Sequence, residues 1–155
     1  MSGLLEEIKQ TKPFASLEEE VFLNLQRTTE ALSWAVTNML KPFELTAVQY
    51  NVLRILRGTG AVGIKCSEIS DRLVTKDSDI TRLLDRLETR DLIERKRDSK
   101  DRRVILTCIT KKGREILSEL DEPVTAASRA VLGHLGGEKL EQLNSLLVLA
   151  RNKPE

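Results

Sequence analysis

The apolar residues of this chain repeat at two different spacings, and the change from one to the other divides it. From Ser16 onward, Phe22, Leu25, Thr29, Leu32, Val36 and Met39 follow at steps of three and four, the stripe of an amphipathic helix. Ser16 and Glu19 have capping-box spacing for its start, and Pro42 ends it because proline cannot continue a helix interior. Thr46 is placed to cap a second helix with Val48, Val52, Leu53 and Leu56 inward, broken by Gly58, Gly60 and Gly63. Val62 to Lys65 is a candidate short strand. Ser67 is expected to cap a brief helix carrying Ile69 and Leu73. A further helix is predicted from Asp77 to Arg90, with Ile80, Leu83, Leu84 and Leu87 on one face.

From Leu92 the period becomes two. Ile93 to Arg97 and Val104 to Ile109 read as strands joined by the polar turn Asp98 to Arg103. Helical spacing returns after Lys111, with Ile116, Leu117, Leu120, Val124, Val131 and Leu132, and Pro123 is expected to kink that helix. Gly136 and Gly137 separate it from a last helix carrying Leu140, Leu143, Leu146, Leu147 and Leu149. The fold predicted is mainly α with a small β-wing: a winged helix-turn-helix over residues 45–112, flanked by helices at 16–44 and 113–155, all in one domain of residues 1–155.

Charge sharpens this picture. The net charge is only +1, but residues 76–114 hold 13 Lys/Arg against 8 Asp/Glu. The rest of the chain is acidic, so one region faces a polyanion. Six of those cations, Arg95, Lys96, Arg97, Lys100, Arg102 and Arg103, fall between Arg95 and Arg103 of the hairpin, a stretch with only Asp98 and Asp101 as acids. A solvated turn is the ordinary explanation of a charge run, but cations at this density repel unless an anion is near. On the helix before the hairpin, Ser78, Arg82, Asp85 and Thr89 lie opposite the apolar face, with Thr81 and Arg86 on its flanks. Arg82 is suited to a guanine edge, Ser78 and Thr81 to a base or phosphate, and Arg86 to a phosphate. Taken alone, the same residues also fit a solvated helix face with internal ion pairs.

Other chemistry is poorly represented. Two separated cysteines, Cys66 and Cys108, and one histidine, His134, make neither a zinc pattern nor a nucleophile–base pair. No enzyme activity, metal or cofactor is therefore expected. The two thiols are read first as small buried residues, with a redox pair as the lesser alternative. His134 is read as a surface or helix-capping residue. No apolar run approaches the roughly 20 residues of a membrane span, and residues 1–12 carry no secretory core, so a cytoplasmic chain is expected.

Four stretches closely resemble the MarR family of regulators: Leu45-Thr46 with Gln49 and Val52-Leu53, Ile80 to Glu88 (ITRLLDRLE), Asp98 to Arg103 (DSKDRR), and Leu106 to Gly113 (LTCITKKG). The resemblance extends over roughly residues 16–151. It implies a sequence-specific transcription regulator, a repressor by expectation. It also implies a homodimer built from the first and last helices on a palindromic operator of double-stranded DNA. The contacts implied and read together are Lys76, Ser78, Asp79, Thr81, Arg82, Arg86, Arg97, Lys100, Arg102 and Arg103. It further implies release by a small aromatic or anionic effector. Trp34, Phe43 and Tyr50 are candidates for that pocket, although core or dimer packing explains them as well. A winged-helix protein-interaction module without DNA binding is the alternative function. The chain departs from the family in having Asp91 where a glycine usually ends the recognition helix. Asp77 and Asp79 bring acid to that helix's start, as a cap or as acceptors from cytosine. Its first helix carries no thiol, which argues against the cysteine-sensing mode of some members.

Overall fold

A computed structural model describes residues 3–75 and 79–152. A short turn of helix, α1 (Leu4–Glu7), precedes the long α2 (Leu17–Leu40). The Ser16 hydroxyl accepts from the Glu19 N–H at 3.3 Å, so the cap read from the sequence forms. Pro42 sits in the first turn of a 3-10 segment, Lys41–Phe43, where its missing N–H costs nothing. Helix α3 (Ala47–Gly58) opens on a complete capping box between Thr46 and Gln49.

The next helix corrects one expectation. Helix α4 (Cys66–Arg72) starts two residues earlier than a Ser67 cap requires, and its cap is Lys65. The Lys65 N–H donates to the Glu68 carboxylate at 3.2 Å. The cause is tertiary: Ile64 exchanges both main-chain hydrogen bonds with Thr107, at 3.1 and 2.8 Å, which pins the chain immediately upstream. That bridge is all that forms of the strand expected at Val62 to Lys65.

Helix α5 (Ile80–Thr89) leads into β1 (Ile93–Arg97), which pairs antiparallel with β2 (Ile105–Ile109), Ile93 opposite Ile109 and Arg97 opposite Ile105. Helix α6 (Lys111–Leu132) continues unbroken through Pro123, and α7 (Gly136–Arg151) begins at Gly136 itself after a 3-10 turn. The fold is thus a winged helix-turn-helix, α3 to β2, flanked by α2, α6 and α7.

The core lies inside that middle unit. Val52, Leu53 and Leu56 of α3, Ile69 of α4, Leu84 and Leu87 of α5, Leu92, Ile93 and Ile109 of the wing, and Leu117 and Leu120 of α6 are all buried against one another. The terminal helices differ. Helix α2 buries only Leu40 and α7 buries nothing within the chain. Leu17, Phe22, Leu146 and Leu149 are more than half exposed. Those four side chains lie on helices with the period of a packed face and stay largely exposed among the described residues.

No helix among the described residues is long and apolar enough to cross a membrane.

Candidate nucleic-acid interface

Helix α5 owes its orientation to its strongly amphipathic sequence. Its apolar side is locked by Leu84 and Leu87, so Thr81, Arg82, Asp85, Arg86 and Thr89 face solvent together. Asp79 is the cap: its carboxylate accepts from the Arg82 N–H at 3.3 Å and lies 3.6 Å from the Arg82 guanidinium. Acid at a helix N-terminus compensates the exposed N–H groups there, which explains one of the two acidic residues at this end. Lys76, Asp77 and Ser78 lie outside the described residues.

The C-terminal end of α5 is a Schellman stop. The Leu92 N–H donates to the Leu87 carbonyl at 3.0 Å and the Asp91 N–H to the Glu88 carbonyl at 2.8 Å. Asp91 takes the left-handed conformation, φ +60°, that glycine usually supplies. The same corner is welded to α6. The Thr110 hydroxyl donates to the Asp91 carbonyl at 2.7 Å and accepts from the Gly113 N–H at 3.1 Å, capping α6. A Cβ on Gly113 would stand 2.3 Å from the Leu92 carbonyl oxygen, so the Thr-x-x-Gly spacing has a steric cause.

The wing divides its cations into holders and free groups. Arg95 reaches back to α5, bonding the Asp85 carboxylate at 2.5 Å and standing 3.7 Å from Glu88, whose carboxylate also accepts from the Arg95 N–H. Lys96 caps the Ala61 carbonyl at 3.2 Å, and Arg97 bonds the Arg102 carbonyl across the turn at 3.2 Å. Asp98 accepts from the Lys100 N–H and Asp101 from the Arg103 N–H, so both aspartates build the turn. Asp101 also pairs with the Arg103 guanidinium, which holds its carboxyl below the ordinary carboxylate range, helped by the main-chain bond and nearby Lys65. Arg86, Lys100 and Arg102 have no acidic partner among the described residues.

The arrangement therefore presents Thr81, Arg82 and Arg86 on a helix and Arg97, Lys100, Arg102 and Arg103 on the adjacent wing. Neutralisation of these groups by acidic side chains is incomplete among the described residues. Arg90 was legible only as a helix end. In the structure its guanidinium bonds the carbonyls of Phe43 and Glu44, contacts 47 and 46 residues away that no local spacing signals.

Trp34, Phe43 and Tyr50 are placed in three different surroundings. Trp34 is 70% exposed on α2 and borders a cleft of about 1060 Å³ walled by α2, Val131 to Leu135 and the α1 segment. Tyr50 is buried in the core, where burial raises its hydroxyl pKa, and Phe43 packs against that core. Neither of the latter two lines the cleft. His134 does line it. Cys108 is buried, its thiol 3.8 Å from the Ala61 carbonyl, and Cys66 is half-buried; both are free thiols.

The chain is similar to proteins of known class. The family model described as MarR family matches residues 45–105, the helix-turn-helix and the greater part of the wing. A MarR transcription factor from Planctomyces limnophilus is 39% identical, with 88% of this chain and 99% of that one covered and a TM-score of 0.68. The transcriptional repressor MdtR of Bacillus subtilis is 34% identical over 97 residues, 63% of this chain; the match spans 61% of that relative's length. The E. coli MarR mutant crystallised with operator DNA shares the fold, with a TM-score of 0.76 at 23% identity over 96% of this chain and 99% of that one. The amphipathic α5, the Asp-Arg-Arg wing and the Thr-x-x-Gly weld are thus set on a backbone shared along its length with such a relative, and the chain belongs to the MarR family.

Proposed function

We propose that the protein is a sequence-specific DNA-binding transcription regulator that acts in the cytoplasm as a homodimeric repressor on a palindromic operator. The observation that carries this reading is the set of exposed cations, Arg82 and Arg86 on α5 with Lys100 and Arg102 on the wing. All four are exposed, while Arg95 is consumed in holding helix and wing together. In this reading α5 enters the major groove, with Thr81 and Arg82 at base edges and Arg86 on phosphate. Lys76, Ser78 and Asp79 complete that end. The wing tip, Lys100, Arg102 and Arg103, enters the adjacent minor groove, and Arg97 approaches the backbone. The relatives support the class: one is named a repressor and another was crystallised on operator DNA.

The dimer rests on the unpaired apolar stripes. Residues 16–44 and 113–155 form the dimerisation region, and a second copy covers Leu17, Phe22, Leu146 and Leu149, as a two-fold operator requires. The effector, a small aromatic or anionic molecule, is assigned to the α2–α6 side, where the cleft beside Trp34 combines leucine walls with Arg27 and His134.

The test is a gel shift against DNA selected from a random library, at several salt concentrations. Affinity of the wild type should fall steeply with salt. Arg82→Ala should cost about 1–3 kcal/mol and relax base preference at one position. Arg102→Ala should weaken all sequences more evenly and flatten the salt slope by about one. Binding indifferent to both substitutions overturns the reading and leaves the protein-interaction module in its place.

A further inference from the structure

A cleft of about 410 Å³ opens between the start of α3 and the solvent face of α5. Gln49 of α3 borders it, and so do Arg82, Asp85, Arg86 and Thr89 of α5. Gln49 is polar yet buried, with 7% of its surface exposed. Its Oε1 accepts from the Thr46 N–H at 3.0 Å, and that main-chain donor fixes which end of the amide is oxygen. The Nε2 end donates to no group among the described residues. No fully buried side-chain nitrogen or oxygen among them lacks a partner, so this Nε2 reaches the cleft that the residue borders.

The charged residues around the cleft are matched unevenly. Its two acids are both engaged: Asp85 is bonded to Arg95, and Glu44 lies 3.8 Å from the Arg90 guanidinium. Arg90 also gives its two Nη atoms to the Glu44 and Phe43 carbonyls, and Arg82 stands 3.6 Å from Asp79. The Thr89 hydroxyl donates to the Asp85 carbonyl. That leaves the Gln49 amide and the Arg86 guanidinium as donors without an acceptor among the described residues. Gln49 is the third residue of α3, at the positive end of that helix.

We infer that this cleft is a site for a phosphoryl group, with Gln49 Nε2 and Arg86 as its donors. A group with several acceptor oxygens takes both, and its charge strengthens each bond. The amide alone suits any acceptor; the guanidinium on the same cleft selects a negative one. Two sources carry that group: a backbone phosphate of DNA, and free phosphate. The first rests on the DNA-binding reading above and makes Gln49 a phosphate contact outside both α5 and the wing. The second does not depend on that reading.

The experiment uses the full chain and has two arms. In the first, inorganic phosphate is titrated without DNA at constant ionic strength, and the Gln49 side-chain amide is followed by NMR. In the second, the selected duplex carries a neutral methylphosphonate at one backbone position at a time, and affinity is measured for wild type and Gln49→Glu. Glutamate keeps an oxygen for the Thr46 N–H, so the capping box survives while the donor becomes a carboxylate. DNA as the source predicts one phosphate in each half-site whose neutralisation costs wild type at least about tenfold. Gln49→Glu should cost at least about tenfold on the unmodified duplex and less than about threefold on the one neutralised there, with its full cost at every other position. Free phosphate as the source predicts a saturable shift of the amide resonance that Arg86→Ala abolishes. If Gln49→Glu does not fold, the wild-type amide resonance decides alone, by shifting with phosphate, or with the unmodified duplex but not with one neutralised duplex. An equal cost of Gln49→Glu on every duplex, with no saturable shift, overturns the inference and leaves the DNA-binding reading intact. A saturable shift in a chain that binds no duplex keeps the site and overturns that reading. No shift and no duplex binding overturn both.

Discussion

Replacing Gly113 with alanine adds one methyl group at the point where α6 crosses the corner between helix α5 and the wing. That Cβ would lie 2.3 Å from the Leu92 carbonyl oxygen and 2.8 Å from Cγ1 of Ile109. Leu92 and Ile109 are both buried, and neither neighbour is the free end of a flexible side chain. The backbone must therefore move, and overpacking of this kind costs about 1–3 kcal/mol. The same carbonyl accepts from the Thr110 N–H at 3.1 Å, and losing that bond adds about 1 kcal/mol. Alanine's better helix propensity returns up to about 1 kcal/mol. The net is about 2 kcal/mol of destabilisation, a fall in Tm of about 4–8 °C for a chain of this size. Thermal unfolding followed by circular dichroism measures it, at one fixed protein concentration because association shifts Tm. Gly58→Ala is the matched control. It lies at the end of α3 with nothing within 4 Å of the added Cβ, and its Tm should hold or rise. If Gly113→Ala melts at or above wild type, the steric account of the Thr-x-x-Gly weld is wrong.

Asp91→Gly should raise stability by about 0.5–1 kcal/mol, because glycine adopts the φ +60° of the Schellman stop without a Cβ penalty; an unchanged or lower urea midpoint contradicts this. The Arg57–Asp121 pair, two bonds of 2.8 Å joining α3 to α6, gives a pH dependence. The Arg57 guanidinium holds the Asp121 carboxyl below its ordinary range. Its stabilisation is therefore complete above about pH 4, the unfolded value, and is lost as pH falls through the lowered folded value. Asp121 is half exposed, so the contribution is at most about 1 kcal/mol. Asp121→Asn should accordingly melt slightly below wild type at pH 7, with the gap narrowing as the pH falls below about 4; a gap that widens in acid refutes the assignment.

The candidate interface was legible wherever its cause is local. Asp79 caps a helix whose apolar face is three and four residues apart, and Asp98 and Asp101 turn a hairpin within a few residues. Which cations stay free was not legible. Arg95 and Arg102 look alike in a basic run, yet Arg95 is spent on Asp85 and Glu88 of another element while Arg102 has no acidic partner among the described residues. Trp34, Phe43 and Tyr50 sit within 17 positions of one another in the chain, but they fall on three successive elements, α2, the 3-10 segment and α3, which pack differently. Tyr50 went to the core and Trp34 to the surface.

Periodicity, caps and turn residues are properties of a few neighbouring positions, and they determined the order and type of the principal elements and the placement of the basic wing. The start of α4 at Cys66, the reduction of Val62 to Lys65 to one bridge, and the role of Arg90 depend on partners tens of residues away. A main-chain bridge or a guanidinium fork is worth its few kcal/mol only once both ends are brought together, and only the packed chain does that.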